Sequence, residues 1–396
     1  MLETRTLSIS FRWVVVLAAA GIAVVSQAQV PDLLSAFDAG ARSQGAGGAL
    51  NGAVGDTFAN LYNPAGLAYV DRTTVQIARR NFPSSRSSVT GSYQSPNVRT
   101  SPRAGGQKIS HVGAAVPIKS FRKRADGVLG VSYSVTGVMD DVAFGPASGL
   151  PLGGGVSIRN FLEQRKVQTE FLTLGYGRTN QAGNLAWGFG LIVANQSVRF
   201  QQSGTLVDNT GTPISGGPAV ISFPNESYRS TGVGLIAGLQ YQSVQNPNLS
   251  YNLSFRSPIQ MPGGSAAGNY STIPGRIMAG VGLRYNGLRE GKDDYFVVGA
   301  NTQYLFGGNG SQSFQRRDQL GFGLGIEYNL DFNSARIPIR LGYSALDSDA
   351  LGFGEVLGVS YGIGYTPAHG RFSLDLTYFR PRYGGQDTWI TATYRF

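Results

Sequence analysis

Residues 128–138 read "VLGVSYSVTGV", and their side chains alternate strictly between two unlike surfaces. Successive side chains of an extended strand point to opposite faces, so one face here is apolar and the other is small and polar. The apolar face carries Leu129, Val131, Tyr133 and Val135, and the other carries Gly130, Ser132, Ser134 and Thr136. A soluble sandwich would expose Lys, Glu and Thr rather than glycine. The pattern therefore predicts a barrel wall with its apolar face in lipid.

The same alternation recurs along the chain in about fourteen segments. In order, they are residues 73–82, 111–118, 128–139, 171–178, 185–196, 231–242, 249–256, 276–285, 295–304, 320–329, 338–345, 356–366, 372–380 and 388–396. Long and short connections alternate between them, as in outer-membrane barrels, which have an even number of strands. The sequence thus predicts an all-β fold, a transmembrane antiparallel β-barrel of about 14 strands over residues 73–396, with both termini in the periplasm.

Tyrosines recur on the apolar face at the predicted periplasmic ends of the strands, where amphipathic rings prefer the headgroup level. They are Tyr176, Tyr241, Tyr285, Tyr328, Tyr365 and Tyr394. The last segment, "TWITATYRF", also points its aromatic residues outward and ends on Phe396. It resembles the C-terminal signal that outer-membrane barrels present to the barrel assembly machinery, which is therefore a predicted partner.

The N-terminus has the features of a cleaved signal peptide. Arg5 and Arg12 precede an apolar run at residues 13–25, and small residues such as Ala28 follow it. The run is shorter than the roughly 20 residues that a membrane-spanning helix needs. We therefore expect a signal peptide at residues 1–28 and export to the bacterial outer membrane.

Composition and motifs exclude several functional classes. The chain contains no cysteine, which excludes disulfides and Cys-ligated metal. The formal net charge is +10, but the basic residues are scattered, so no nucleic-acid partner is predicted.

The sequence also contains no convincing catalytic motif. His111 and His369 are the only histidines and lie in different segments, which disfavours a His-based catalytic site or a zinc site. The "GVSYG" stretch matches a nucleophile elbow, but that motif needs a strand-to-helix turn, and Ser360 lies within a predicted strand. The sequence therefore predicts no enzyme activity, no cofactor and no bound metal.

The segment before the first strand reads "GARSQGAGGALNGAVGDTFANLYNPAGLAYV". Its small side chains suit close packing against a glycine-rich wall, whereas a dangling tail would be charged or rich in Pro and Ser. Asp56 is placed to cap a short helix that starts at Thr57 and must end where Asn63 precedes Pro64. Residues 29–72 are therefore predicted to form a hatch, or plug, inside the barrel.

This segment resembles the N-terminal signature of the FadL-type outer-membrane transporters of long-chain fatty acids and of their PorV/PorQ-like relatives. The matching residues of the hatch motif are Ala41, Arg42, Gly45, Gly47, Gly48, Ala49, Asp56, Asn63, Pro64, Ala65 and Gly66. Later stretches are similar as well, including "FRSPI", "IPGRIMAGVGLRY" and "LDLTY". The resemblance implies a barrel plugged by an N-terminal hatch, with hydrophobic substrates that enter the interior and leave through the wall.

Strand parity places several bulky and basic side chains inside the barrel. The candidate ligand-binding residues in the lumen are Ile192, Ile236, Met278, Phe379, Trp389, Arg256, Arg284, Arg340 and Arg395. An apolar wall with a few cations suits an amphipathic carboxylate. The alternative is that these arginines pair with acidic residues of the plug, namely Asp32, Asp38 and Asp56, and hold it in place.

Two functions are favoured by these features over a third, that of a purely structural barrel or surface adhesin. The first is passive uptake of hydrophobic small molecules, such as long-chain fatty acids, by a channel in contact with outer-membrane lipid. The alternative is a PorV-like interaction protein that assists secretion or surface attachment of exported proteins. An apolar pocket that continues into a gap in the wall favours the first function, and a closed plug without such a pocket favours the second.

Overall fold

The computed structural model describes most of the chain after the predicted signal peptide. The described residues are 40–50, 55–82, 84–92, 95–103, 106–119, 125–153, 155–214, 226–262, 272–307, 318–346, 356–381 and 387–396. The predicted signal peptide at 1–28 lies outside them, as do residues 29–39 of the predicted plug, including Asp32 and Asp38.

Strands make up most of the described structure. In chain order they are β1 (Thr74–Asn81), β2 (Ser84–Ser92), β3 (Ser95–Arg103), β4 (Gln107–Lys119), β5 (Ala125–Phe144), β6 (Leu150–Gly153), β7 (Val156–Thr179), β8 (Leu185–Val207), β9 (Glu226–Gln242), β10 (Leu249–Arg256), β11 (Ile259–Gln260), β12 (Thr272–Ile273), β13 (Gly275–Asn286), β14 (Tyr295–Phe306), β15 (Gln319–Phe332), β16 (Ala335–Leu346), β17 (Val356–Pro367), β18 (Phe372–Pro381) and β19 (Asp387–Arg395). Three short helical elements precede them: α1 (Ala41–Gly45), α2 (Ala59–Tyr62) and a 3-10 helix (Pro64–Tyr69). None of the described helices is long and apolar enough to cross a bilayer.

The fourteen predicted segments are confirmed as the strands of one closed antiparallel barrel. Each of them pairs with the next along the chain, and β19 pairs with β1, so that Arg395 lies opposite Thr74. Closure leaves no free edge in the wall, which is the condition for a sheet to span a membrane. The remaining strands, β2, β3, β6, β11 and β12, belong to the connections.

The two faces of the wall are those that the alternation predicted. Leu129 is 44 % exposed on the outside of β5, whereas Ser132 is 2 % exposed on the inside. Val135 is an exception, because it was expected outside but is buried against Phe82 and Val138. The register of β5 shifts between Thr136 and Met139, so the alternation of this strand breaks just above Val135.

The connection between β10 and β13 folds into the barrel. Within it, β11 pairs with β12, and Ile259 and Ile273 lie opposite each other and are fully buried. A Cβ added to Gly232 on the inner face of β9 would lie 2.2 Å from the carbonyl oxygen of Gln260. The glycine therefore allows this connection to lie directly on the wall, where it covers the lumen from the end opposite to the termini.

The terminal Phe396 takes part in closing the barrel. Its N–H donates to the carbonyl oxygen of Thr73 at 2.9 Å, and its ring packs edge-on against Tyr394 at 4.8 Å. Its side chain is 67 % exposed on the lipid-facing side.

We expect deletion of Phe396 to lower the amount of folded barrel in outer membranes, since the closing strand loses its last hydrogen bond and its outward aromatic ring. The measurement is the heat-modifiable band on a gel of isolated outer membranes. Phe396→Tyr is the control, because it keeps an aromatic ring and the backbone N–H. Wild-type levels of heat-modifiable protein after the deletion would contradict the expected role of Phe396.

Candidate functional site

The N-terminal segment lies inside the barrel and contacts its inner wall. We call residues 40–50 and 55–72 the plug segment. Its side chains at Ala41, Gln44 and Ala65 are fully buried. The helix α1 packs against β16, β17 and β18, and the 3-10 helix packs against β7, β8 and β9 on the other side of the lumen. The plug segment therefore bridges two opposite parts of the wall.

The short helix predicted after Asp56 is present, but it begins two residues later than expected, at Ala59. The Asp56 carboxylate accepts a hydrogen bond from the N–H of Phe58 at 2.8 Å. Burial raises the pKa of this carboxyl. The helix ends at Tyr62, and the backbone of the next residue, Asn63, is extended, as the following proline requires.

Gly47 makes the closest approach of the plug segment to the wall. Its φ is +65°, and an added Cβ would lie 2.5 Å from the backbone nitrogen of Tyr343. Its N–H donates to the hydroxyl of Ser360 at 3.0 Å, and its carbonyl accepts from the hydroxyl of Ser344 at 2.9 Å. On the wall side, a Cβ on Gly342 would lie 2.0 Å from the nitrogen of Gly47. Two glycines thus allow backbone-to-backbone contact here, and inward hydroxyls satisfy the plug's peptide groups.

The two other glycines of the predicted hatch motif with contacts to this part of the wall, Gly45 and Gly48, lie close by. Gly45 accepts a hydrogen bond from Ser360 through its carbonyl at 3.2 Å. The carbonyl of Gly48 accepts from the side-chain amide of Asn301 at 3.4 Å. The motif glycines therefore lie against β14 and β17.

The Asn63-Pro64-Ala65-Gly66 turn contacts the opposite wall. The side-chain NH₂ of Asn63 donates to the carbonyl of Leu239 in β9 at 3.1 Å. Its side-chain oxygen accepts from the N–H of Ala65 at 3.1 Å, which caps the 3-10 helix. Pro64 and Gly66 are buried in the same turn, and the N–H of Gly66 donates to the carbonyl of Asn63 at 2.9 Å. One asparagine side chain thus joins the plug segment to the wall and orders the turn that follows it.

A hydrogen-bonded network of charges joins Arg42 of the plug segment to buried side chains of β15, β16 and β18. Arg42 donates from Nε and Nη2 to the two oxygens of Glu327 at 3.0 and 2.9 Å. Glu327 also accepts from Nε of Arg340 at 2.6 Å, and Nη1 of Arg340 donates to Asp375 at 2.6 Å. The charge of Glu327 raises the pKa of the Arg42 guanidinium, which stays protonated. Two arginines and two carboxylates are therefore neutralised within one hydrogen-bonded chain.

For Arg340, this network shows acids of the wall in place of the acids of the plug, of which Asp32 and Asp38 lie outside the described residues. Arg340 pairs with Glu327 and Asp375, which are both residues of the wall. The plug segment supplies the cation, Arg42, and the wall supplies the acid. The Asp56 carboxylate accepts hydrogen bonds from the N–H of Phe58 and from the side-chain amide of Gln76. It forms no ion pair among the described residues.

Three of the candidate ligand-binding residues come together in an apolar cluster. Ile192, Ile236 and Met278 extend from β8, β9 and β13 into the lumen and are fully buried. The other members of the cluster come from the plug segment, from the inward-folded connection and from the wall: Phe58, Leu61, Tyr62, Ile259, Met261, Ile273, Ala78, Phe171 and Ala194. The cluster thus lies between the plug segment on one side and the connection on the other.

Two arginines are buried at this cluster. Arg256 and Arg276 lie directly opposite each other on β10 and β13, and both side chains are almost completely buried. Arg256 donates from Nη2 to the carbonyl of Pro274 at 2.9 Å, and its guanidinium lies 5.6 Å from the centre of the Phe171 ring. Its Nε finds no acceptor among the described residues.

Arg276 contacts the plug segment directly. It donates from Nη2 to the carbonyl of Leu61 at 2.8 Å and lies 4.6 Å from the centre of the Tyr62 ring. Neither Arg276 nor Arg256 forms an ion pair with a described residue. The undescribed part of the nearby connection, 263–271, contains no acidic residue. Buried charges are normally paired, so two adjacent guanidinium groups without an acid are exceptional.

The aromatic candidates form a second, separate cluster. Phe379 and Trp389 pack edge to face at 6.3 Å, together with Ala41 of the plug segment. Arg80 lies over the Trp389 ring at 4.5 Å and binds Asp387 through Nε and Nη2 at 2.8 and 2.6 Å. Arg80 and Asp387 neutralise each other, and this aromatic cluster is separate from the apolar cluster around Arg256.

The two remaining candidates lie near the end of the barrel that holds the chain termini. Arg395 lines a cavity of about 360 Å³ beside the plug segment, together with Arg42, Arg340 and Glu327. Arg284 lines a neighbouring cavity of about 220 Å³, which also touches Arg42. The lining of the larger cavity is mostly polar and charged, which suits water rather than an apolar chain, whereas the smaller cavity is lined by polar and apolar residues alike, including Leu50 and Val297. The nine predicted lumen residues are therefore divided among several places and form no single site.

Sequence reasoning missed Arg276 and Arg80, although strand parity could have found both. Ile277 and Arg79 face outward, so their neighbours Arg276 and Arg80 must face the lumen. The pairing of Arg42 with Glu327 carries no local signal, because the two residues are 285 positions apart. No cluster of His, Asp and Glu that could hold a metal occurs in the part of the chain that the structure describes.

The closed barrel, its exposed apolar outer face and the segment packed in its lumen define a plugged transmembrane β-barrel. Three solved structures are similar to it over nearly their whole length. They are a Pseudomonas aeruginosa FadL homologue (14% identity, 90% of this chain and 98% of that chain, TM-score 0.55), the Ralstonia pickettii toluene transporter TbuX (13%, 90% and 98%, 0.56) and the Pseudomonas putida toluene transporter TodX (13%, 89% and 96%, 0.54). The chain thus has the fold of the FadL-type barrels, as the N-terminal motif predicted. No protein-family model and no curated sequence matches it.

Proposed function

We propose that this protein is an outer-membrane channel for passive uptake of hydrophobic small molecules that carry a carboxylate, such as long-chain fatty acids. In this proposal both chain termini face the periplasm. The observation that carries it is the Arg256–Arg276 pair within the apolar cluster of the lumen. The fold supports it further, because similar barrels include two toluene transporters.

The chemistry of the two arginines argues for an anionic head group. Toluene is an uncharged hydrocarbon, and a site for it needs no buried cation. Here two arginines lie opposite each other on neighbouring strands, and their guanidinium groups lie beside two rings of the apolar cluster, Phe171 and Tyr62. A carboxylate between the two guanidinium groups would accept charge-assisted hydrogen bonds from both, while an alkyl chain lies on the apolar side chains.

Passage through this site requires a movement, because its side chains are packed together. Leu61 and Tyr62 cover the cluster from the plug side, and Ile259 and Ile273 cover it from the connection side. A ligand carboxylate at Arg276 would compete with the carbonyl of Leu61 for the same guanidinium. The alternative function, a PorV-like interaction protein, needs no such movement, and this packing fits it as well.

The test is binding of oleate and of the matched neutral alcohol to purified protein in detergent. We expect Arg256→Gln with Arg276→Gln to weaken oleate binding by about tenfold or more, since a hydrogen bond to a charged group contributes about 1.5 to 3 kcal/mol. Binding of the alcohol should change little, because the apolar cluster is retained.

Arg395→Gln is the matched control, as it removes a lumen arginine outside the apolar cluster. Uptake of both probes into liposomes that contain the protein completes the measurement. If the double variant lost binding of oleate and of the alcohol equally, the two arginines would have a structural role and would not recognise the carboxylate. If the wild-type protein neither binds nor transports either probe, the uptake proposal is wrong and the alternative of an interaction protein is favoured.

A further inference from the structure

The smaller cavity near the chain termini, of about 220 Å³, has both apolar and cationic side chains in its lining. We call it the mouth cavity. Leu50 of the plug segment and Val297 of β14 supply apolar groups, while Arg284 and Arg42 supply cations. Leu50 packs directly on the wall at Gly299, where an added Cβ would lie 3.0 Å from a methyl group of Leu50. The mouth cavity therefore offers a position for an anionic head group beside an apolar surface.

Arg284 forms no ion pair with a described residue. Its Nε donates to the side-chain oxygen of Asn286 at 2.7 Å, and its guanidinium lies 3.8 Å from the centre of the Tyr295 ring. These contacts orient the side chain, and its two terminal nitrogens donate to no described acceptor. The undescribed residues that follow Leu50, 51–54, contain no acid. The two nitrogens are therefore available to a carboxylate, which a guanidinium binds through two parallel hydrogen bonds.

The inward acid in register with Arg284 is already bound by other arginines. Val297 lies directly opposite Arg284 on one side and Glu327 on the other, so Glu327 is two strands away from Arg284. Both oxygens of Glu327 accept hydrogen bonds from Arg42, and one of them also accepts from Arg340. Because that network balances its own charges, the positive charge of Arg284 is available to an anion that enters the mouth cavity.

A stripe of inward polar side chains runs along the wall from the Arg256–Arg276 pair to the mouth cavity. The sequence of β10, "LSYNLSFR", alternates between two faces, and its inward residues are Ser250, Asn252, Ser254 and Arg256. Two residues of β14, Asn301 and Gln303, face the lumen as well. Gly280 of β13 lies opposite both Asn252 and Asn301, so the polar side chains of β10 and β14 lie at the same level.

Three carboxamide oxygens of this stripe have no donor among the described residues. They belong to Asn252, Asn301 and Gln303, whose residues are all more than nine-tenths buried. Buried polar groups are normally paired, so these oxygens suit a hydrated head group, whose water can donate to them. The wall at β8 is different, because its inward residues between Ile192 and Ala186 are both glycines. The polar stripe thus favours movement of a head group along β10, β13 and β14.

The geometry points to a second head-group site at Arg284, which binds the carboxylate of an amphipathic acid after it has left Arg256 and Arg276. Positions 276 and 284 lie on the same strand and are roughly 27 Å apart at about 3.4 Å per residue, so one carboxylate cannot contact both. The mouth cavity is smaller than the roughly 300 Å³ of common ligand pockets and suits the head group with its first carbons. The choice of ligand rests on the proposed function, whereas anion binding at Arg284 does not.

The test is photolabelling of the purified protein in neutral detergent with a fatty acid that carries a diazirine beside its carboxylate, and with the matched alcohol. Mass spectrometry of peptides then locates the labels. We expect the acid to label the apolar cluster near Phe171 and the mouth cavity near Leu50 and Val297. Arg284→Gln should lower acid labelling of the mouth cavity by at least about tenfold, since it removes charge-assisted hydrogen bonds. Labelling near Phe171, and labelling by the alcohol, should not change.

Arg395→Gln is the matched control, because Arg395 lines the neighbouring, larger cavity, and it should keep both labels. All variants should keep the heat-modifiable gel shift. The proposal is overturned if the wild type shows no acid label near Leu50 and Val297, if Arg284→Gln keeps that label, or if Arg395→Gln loses it equally.

Arg256→Gln with Arg276→Gln separates this site from the proposed function. The double variant should lose the acid label near Phe171 and keep the label in the mouth cavity, because Arg284 is exposed at the end of the barrel. A wild-type label in the mouth cavity alone would support the second site and contradict the Arg256–Arg276 site. A label near Phe171 alone would do the reverse.

Discussion

Replacement of Glu327 by glutamine is expected to loosen the plug segment and to raise the conductance of the channel in planar bilayers. Glu327 is the acid that Arg42 of the plug segment shares with Arg340 of the wall. Arg42 makes two hydrogen bonds to this carboxylate, and a hydrogen bond between charged groups contributes about 1.5 to 3 kcal/mol. The side chain of Arg42 is 45 % exposed, so solvent screening favours the lower end of this range.

The barrel itself should survive this change. Its strands pair with one another, and Arg340 keeps its hydrogen bond to Asp375. A loss of about 3 kcal/mol corresponds to about a hundredfold shift between a seated and a loosened plug segment. Single-channel recordings should therefore show longer or larger openings, while the heat-modifiable band stays at wild-type intensity.

Two further variants make this measurement specific. Glu290→Gln removes an exposed acid of a turn and should leave conductance unchanged. Arg42→Gln should resemble Glu327→Gln, and the double variant should add little to either, since both changes remove the same contact. Wild-type conductance in Glu327→Gln, with the barrel intact, would show that this network does not hold the plug segment.

Replacement of Asn63 and Pro64 by alanine is expected to have the second largest effect on the plug segment. Asn63→Ala removes the hydrogen bond to Leu239 of the wall and leaves the N–H of Ala65 without its side-chain acceptor. Pro64→Ala removes the restriction that keeps Asn63 extended. An unpaired buried polar group costs about 1 to 3 kcal/mol, which corresponds to about a 5- to 150-fold shift.

We expect the yield of folded barrel to be unchanged and the uptake of a hydrophobic probe, or the conductance, to increase. Asn60→Ala is the matched control, because Asn60 is a buried asparagine of the same segment whose side chain makes no hydrogen bond to a described residue. Loss of the barrel, or wild-type uptake of several apolar probes, would exclude the Asn63 turn as a gate. A similar increase in the Asn60 variant would assign the effect to lost volume instead of lost hydrogen bonds.

The wall of this barrel could be predicted from the sequence because its determinants are local. A period of two puts Leu129 outside and Ser132 inside whatever the rest of the chain does, and lipid outside the wall makes the apolar face the outer one. Where a register shift interrupts the period, as next to Val135, the prediction fails. The turn at Asn63 and Pro64 was also predictable, since proline restricts the residue before it.

The candidate site depended on the tertiary structure. Strand parity predicts which face of the wall a side chain lies on, but it does not predict which residues that side chain contacts. Arg256 and Arg340 both point inward, yet Arg340 meets Glu327 and Asp375, whereas Arg256 meets Arg276. That difference arises from strand register and from the path of the plug segment, which bring together residues hundreds of positions apart. The sequence by itself therefore determined a plugged barrel with apolar and basic side chains in its lumen. Only the folded chain decided which cations are neutralised and which remain beside an apolar cluster, since an ion pair requires its two charges to meet within about 4 Å.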